Sequence, residues 1–143
     1  MKFFASLNAW MLPVAAIASF MFGGVWYTLL SKPWMAAAGL DPAKVQCDGA
    51  RSPTPLVITL IAQLFMAWML SGLLLHMAKA GLPGNIKNGM ITGLFIWAGF
   101  IATTIVVNHR FQQQSWALTF IDAGHWLGVL LIQGAILGQW GFA

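Results

Sequence analysis

The residues with most scope for chemistry are a carboxylate at Asp122 and an imidazole three positions later, at His125. At that spacing both lie on one face of a helix. Their surroundings, from Phe120 and Ile121 to the run Val129, Leu130, Leu131 and Ile132, are apolar. A carboxylate inside a membrane helix costs about 2.5–3.5 kcal/mol on insertion scales, and such residues are candidates for moving protons or holding ions. Other chemistries lack their groups. Cys47 is the only cysteine, so no disulfide or thiolate metal cluster forms within one chain. The sequence has no Glu, which removes the usual carboxylate pairs of hydrolases. It also lacks a Gly-rich phosphate loop ending in Lys-Ser/Thr, a nucleophile elbow and a His-Glu-x-x-His motif. Ser71 has only His76, five residues on, as a nearby base. The expectation is a protein that is not an enzyme, with no cofactor and no metal site.

The elements that position Asp122 and His125 follow from composition. Of the 143 residues, 59% are hydrophobic and 7% charged. A soluble domain carries roughly a quarter charged residues, so a water-soluble monomer is excluded. A disordered chain and a nucleic-acid binder are excluded as well. The basic residues Lys2, Lys32, Lys44, Arg51, Lys79, Lys87 and Arg110 are scattered and flank apolar stretches. Four such stretches are each long enough for the roughly 20 residues that cross a bilayer. Backbone groups in lipid must bond internally, and the stretches lack a period of two, so helices are predicted and a β-barrel is not. The predicted fold is all-α: one domain over residues 1–143, an integral membrane bundle of four transmembrane helices near 7–30, 55–77, 86–108 and 117–139. A longer loop joins helices one and two, and Trp34 to Ala38 within it suit a short interfacial helix ended by Gly39. Pro55 suits a first helical turn, Pro13 kinks the first helix or marks its start, and Gly81-Leu82-Pro83-Gly84 breaks the chain between helices two and three. Lys2 and the Ala-rich stretch after it resemble a leader peptide. The apolar run continues to Leu30, however, beyond a normal leader, so an uncleaved helix is expected.

Lipid tails are as apolar as leucine, so the helices need close packing or polar contacts to associate. Small residues four apart offer grooves for such packing: Ala15, Ser19 and Gly23; Gly89 and Gly93; Gly124 and Gly128; Gly134 and Gly138. They serve contacts within the chain or between chains. Alternating helix direction places Tyr27, Gln63, Thr103, Thr104, Asn108, Asp122 and His125 in the half of the membrane nearest the long loop, and Ser71, His76 and Gln133 in the other. From this comes a predicted polar cluster of Tyr27, Thr104, Asn108, Asp122 and His125. It reads as a hydrogen-bond clamp, as a proton, ion or small-ligand site, or as a carboxylate reaching the wet interface. A haem between His76 and His125 is disfavoured by a depth difference of roughly 12–15 Å at the helical rise. His76 and His109 read as interfacial residues.

The sequence resembles a family of small bacterial four-helix membrane proteins, domain of unknown function 1761. The stretches that carry the resemblance are Gly24-Val25-Trp26-Tyr27, then Trp34 and Gly39-Leu40, then Gly99-Phe100-Ile101-Ala102-Thr103-Thr104 with Asn108. Ile121-Asp122-Ala123-Gly124 and Gly134-Ala135-Ile136-Leu137-Gly138 complete it. The resemblance implies four membrane helices, a bacterial inner-membrane location and attention to Tyr27, Thr103, Thr104, Asn108 and Asp122. It implies no settled activity. Two functional expectations follow. One is a non-enzymatic structural or accessory subunit, or a homo-oligomer, whose partners are the lipid bilayer and another membrane protein or copy. The other is a small dimeric proton- or ion-coupled transporter that uses Asp122.

Overall fold

In a computed structural model that describes residues 7–41 and 53–141, the architecture is all-α. Lys2, Lys44, Cys47, Asp48 and Arg51 lie outside the described residues. Helix α1 runs Met11–Leu29, α2 Ser31–Ala37, α3 Thr54–Lys79, α4 Ile86–Phe111 and α5 Trp116–Trp140. Four of these, α1, α3, α4 and α5, are long and apolar enough to cross a bilayer, and they form a packed bundle. The chain is a multi-pass membrane protein.

Local chemistry sets the ends of these helices. Pro13 and Pro55 both fall in a first turn, where a missing N–H leaves no bond unmade. The α3–α4 turn uses Gly81 at φ 96°, a left-handed conformation that costs glycine little. It ends on Asn85, whose side chain accepts from the Asn88 N–H at 2.8 Å and caps α4. The α4–α5 turn is tighter. Gln113 adopts φ 55° without being glycine, the Gln114 N–H returns to the His109 carbonyl at 2.9 Å, and the Ser115 hydroxyl caps the Leu118 N–H at 3.1 Å. That turn folds the end of α4 directly onto the start of α5.

The bundle is organised around α5, which packs most extensively on α4, then on α1, and also meets α3 and α2; α3 and α4 scarcely touch. The α4–α5 seam is backbone on backbone. A Cβ added at Gly89 would collide with the carbonyl of Gly134, and one at Gly134 with the carbonyl of Gly89. Gly93 and Gly138 lie against the carbonyls of Leu130 and Asn85 in the same seam. Such contact gains dispersion energy in a solvent where apolar burial alone gives no drive. Along α1 and α5 the small residues instead receive rings: Phe22 seats on Gly128, Trp26 on Gly124 and His125 on Gly23. Ala15 and Ser19 on α1 are fully buried with them. Leu70, Leu74, Leu130 and Leu137 fill the centre, while Phe95, Phe100 and Phe120 point outward to lipid.

Two features separate the structure from simple alternation of equal helices. The first is a widened turn in α4, where Trp97–Ala102 is π-helical. A π turn holds an extra residue, so everything after it is rotated relative to a regular helix. The second is stagger. Gln63 of α3 and Gln133 of α5 meet, although they lie roughly 14 Å and 26 Å from the starts of their helices at the helical rise. The two helices run in the same direction, so α5 begins about 12 Å further out than α3 at the long-loop end. The even depths assumed from the sequence, which put Gln63 and Gln133 in opposite halves, are corrected by this offset.

Candidate functional site

Asp122 sits in the part of α5 that protrudes at the long-loop end, level with the last turn of α1. Its Oδ1 accepts two hydrogen bonds, from the Tyr27 hydroxyl at 2.9 Å and from the Trp34 indole N–H at 3.2 Å. Tyr27 comes from α1 and Trp34 from α2, and their rings meet edge-on with centroids 5.9 Å apart. A second bond holds α2 down: the Ser115 hydroxyl donates to the Ala37 carbonyl at 2.9 Å. The short helix is therefore pinned across the end of the bundle by the carboxylate and by the cap of α5.

The other carboxylate oxygen faces α4. His109 Nε2 lies 3.8 Å from Asp122 Oδ2, an ion pair when the imidazole carries a proton. His109 Nδ1 is 3.1 Å from the Thr119 hydroxyl, which donates to the Ser115 carbonyl and accepts from Arg110 Nη2 at 3.0 Å. Arg110 also donates to the Gln114 carbonyl at 2.7 Å, and its guanidinium lies 3.9 Å from the centre of the Trp116 ring. Thr119 is buried, and Asp122 and His109 are 21% and 15% exposed at their side chains. The result is a polar knot of four helices at the long-loop end of the bundle.

The expected cluster is redistributed. Tyr27 and Asp122 are bonded directly. His125 is buried one turn deeper and makes ring contacts instead, 4.9 Å to Tyr27, 4.9 Å to Trp126 and 6.3 Å to Phe22. Thr103, Thr104 and Asn108 do not join it. Both threonines are exposed, and their hydroxyls donate back to the Gly99 and Phe100 carbonyls inside the widened turn. This is the internal satisfaction that a lipid-facing polar group requires. Asn108 faces outward. The extra residue in the π turn rotates His109 and Arg110, not Thr104 and Asn108, toward α5. His109, expected as a separate interfacial residue, is thus a member of the knot. Trp34, Arg110 and Thr119 were not foreseen. The four-residue turn after Phe111 was the available signal, since it must fold a basic pair back onto the acidic helix.

A second polar assembly lies near the middle of the bundle. Ser19, Gln63 and Gln133 are each fully buried. The Ser19 hydroxyl donates to Gln63 Oε1 at 2.8 Å, while Gln133 Nε2 donates to the Ser19 hydroxyl and the Gln63 carbonyl, both at 3.0 Å. This hub ties α1, α3 and α5. Two indoles extend the pattern: Trp26 donates to the Ile121 carbonyl at 3.1 Å and Trp97 to the Ala123 carbonyl at 2.7 Å. Carbonyls of α5 therefore accept from α1 and from α4. Among the described residues, no group of three or more His, Cys, Asp or Glu side chains could hold a metal ion.

No curated protein and no solved structure matches the chain. Residues 10–138 match the family described as protein of unknown function DUF1761, a span that takes in the knot, the hub and the four membrane helices but for the last two residues of α5, so the chain belongs to that family.

Proposed function

We propose that this protein is a non-enzymatic structural or accessory subunit of the bacterial inner membrane, acting as a homo-oligomer or beside a partner membrane protein. The observation that carries this reading is the engagement of Asp122. Its Oδ1 takes donors from two other helices of the same chain, which is the work of a clamp. The outward faces support an assembly. In the most apolar stretch of α4 only 11% of residues are buried within the chain. A second reading, a small dimeric proton- or ion-coupled carrier, draws on the carboxylate and imidazole of Asp122 and His109, 3.8 Å apart at the long-loop end of the bundle. Crosslinking and native mass spectrometry with endogenous lipids retained test the first reading. A multimer or a stoichiometric partner is expected, and a clean monomer would overturn it. Ion or proton flux in proteoliposomes that Asp122→Asn abolishes, with the fold intact, would establish the carrier instead.

A further inference from the structure

A cavity of about 460 Å³ opens between α1, α3 and α5, below the knot and beside the hub. It runs along α1 from Phe20 to Tyr27 and along α3 from Leu56 to Gln63, about 10 Å of helix at the usual rise. The volume falls within the range of small-molecule sites. Gly23 and Gly24 leave the α1 wall without side chains, and His125 and Trp126 close the α5 side. Four of the lining residues carry flat rings: Phe20, Tyr27, His125 and Trp126.

Two buried groups on this wall are incomplete. Gln63 is 0% exposed and its Nε2 has no hydrogen-bond partner; its Oε1 is engaged by Ser19. His125 is 3% exposed and its Nδ1 likewise has none. Two other polar side chains of the wall are already served. The Tyr27 hydroxyl donates to Asp122, and the Thr59 hydroxyl donates to the Pro55 carbonyl at 2.8 Å. An unpaired buried amide N–H is a standing cost of folding, and the cavity borders both incomplete residues. We propose that the cavity binds a flat, ring-bearing amphiphile with a carbonyl oxygen, of the quinone class, entering from the bilayer. Its ring lies among the aromatic side chains, its oxygen accepts from the Gln63 amide, and its apolar tail leaves along the lipid-facing side. An acyl chain would fill the same space but leave the amide unpaired.

The test uses the full chain in phospholipid nanodiscs, titrated with decylubiquinone while tryptophan fluorescence is followed. Saturable quenching is expected, and Trp126→Phe removes a defined part of its amplitude. Gly24→Leu and Thr59→Phe fill the cavity from opposite walls without touching the hub, and at Gly24 a Cβ meets nothing within 4 Å. Each variant, checked for native helicity, is expected to weaken binding at least tenfold, and either one that folds decides the matter. Decanol, which lacks the ring and the carbonyl, is expected not to compete. Quenching that rises linearly with bulk partitioning, affinity unchanged in a folded filling variant, or equal displacement by decanol would each overturn the proposal.

Discussion

The hub of Ser19, Gln63 and Gln133 gives the sharpest quantitative expectation. Gln133 donates from Nε2 to two acceptors, on α1 and on α3, while its Oε1 has no partner. Interhelical hydrogen bonds in membranes average about 0.6 kcal/mol and reach about 1.7, so two are worth about 1–3 kcal/mol. Gln133→Leu removes both, yet strands nothing. The Ser19 hydroxyl keeps Gln63 Oε1 and lies 2.9 Å from the Ala15 carbonyl, and the unpaired Oε1 leaves with the side chain. The net loss should be about 1 kcal/mol. Gln133→Ala loses the same bonds and also opens a void at a fully buried position, where large-to-small changes cost about 2–5 kcal/mol. Reversible unfolding in mixed detergent micelles measures both. The Ser19→Ala and Gln133→Leu double-mutant cycle should return a coupling of about 0.5–1.5 kcal/mol. If Leu costs as much as Ala, or if the coupling is zero, the hub does not join the helices as described.

Three further outcomes follow from the same geometry. Asp122→Asn retains an oxygen for Tyr27 and Trp34 and should cost under about 1 kcal/mol, whereas Asp122→Ala loses both bonds and should cost about 2–4 kcal/mol, in the same unfolding assay. Gly89→Ala should destabilise by at least about 1–3 kcal/mol because its Cβ meets the Gly134 carbonyl, while Gly72→Ala, where a Cβ meets nothing, should be neutral or slightly favourable in thermal melts. Gln113→Gly should stabilise by up to about 1 kcal/mol by relieving a left-handed conformation, and Gln113→Val should do the reverse.

The spans were legible because an 18-residue apolar run without charge has one stable form in lipid. The short helix at Trp34 was legible too, since Gly39, at φ 68°, marks its end. Tyr27 and Asp122 could be paired from depth because both lie near the same end of adjacent helices. The rest depended on quantities that a pattern of residues does not carry. A single extra residue in the Trp97–Ala102 turn decides whether Asn108 or His109 faces α5, and nothing in the hydropathy of that segment reports it. The offset between α3 and α5 decides that Gln63 meets Gln133. The lengths of the two helices, 26 and 25 residues, do not report it. Trp34 was visible as an interfacial aromatic, but its bond to Asp122 required knowing that α2 folds back over the bundle.

Because α5 supplies a partner to every other helix and comes last of the four spans, the order of synthesis bears on folding. When α1, α3 and α4 have left the ribosome, the Tyr27 hydroxyl, the Trp26 and Trp97 indoles and the bare faces of Gly89 and Gly93 still await their counterparts. Until then α1 and α3 can hold each other through the Ser19–Gln63 bond, while α4 has little to rest on. The arrival of the final span converts them into a single body in one late, cooperative step, so a chain stalled before it would present its adhesive surfaces to neighbours and to membrane proteases.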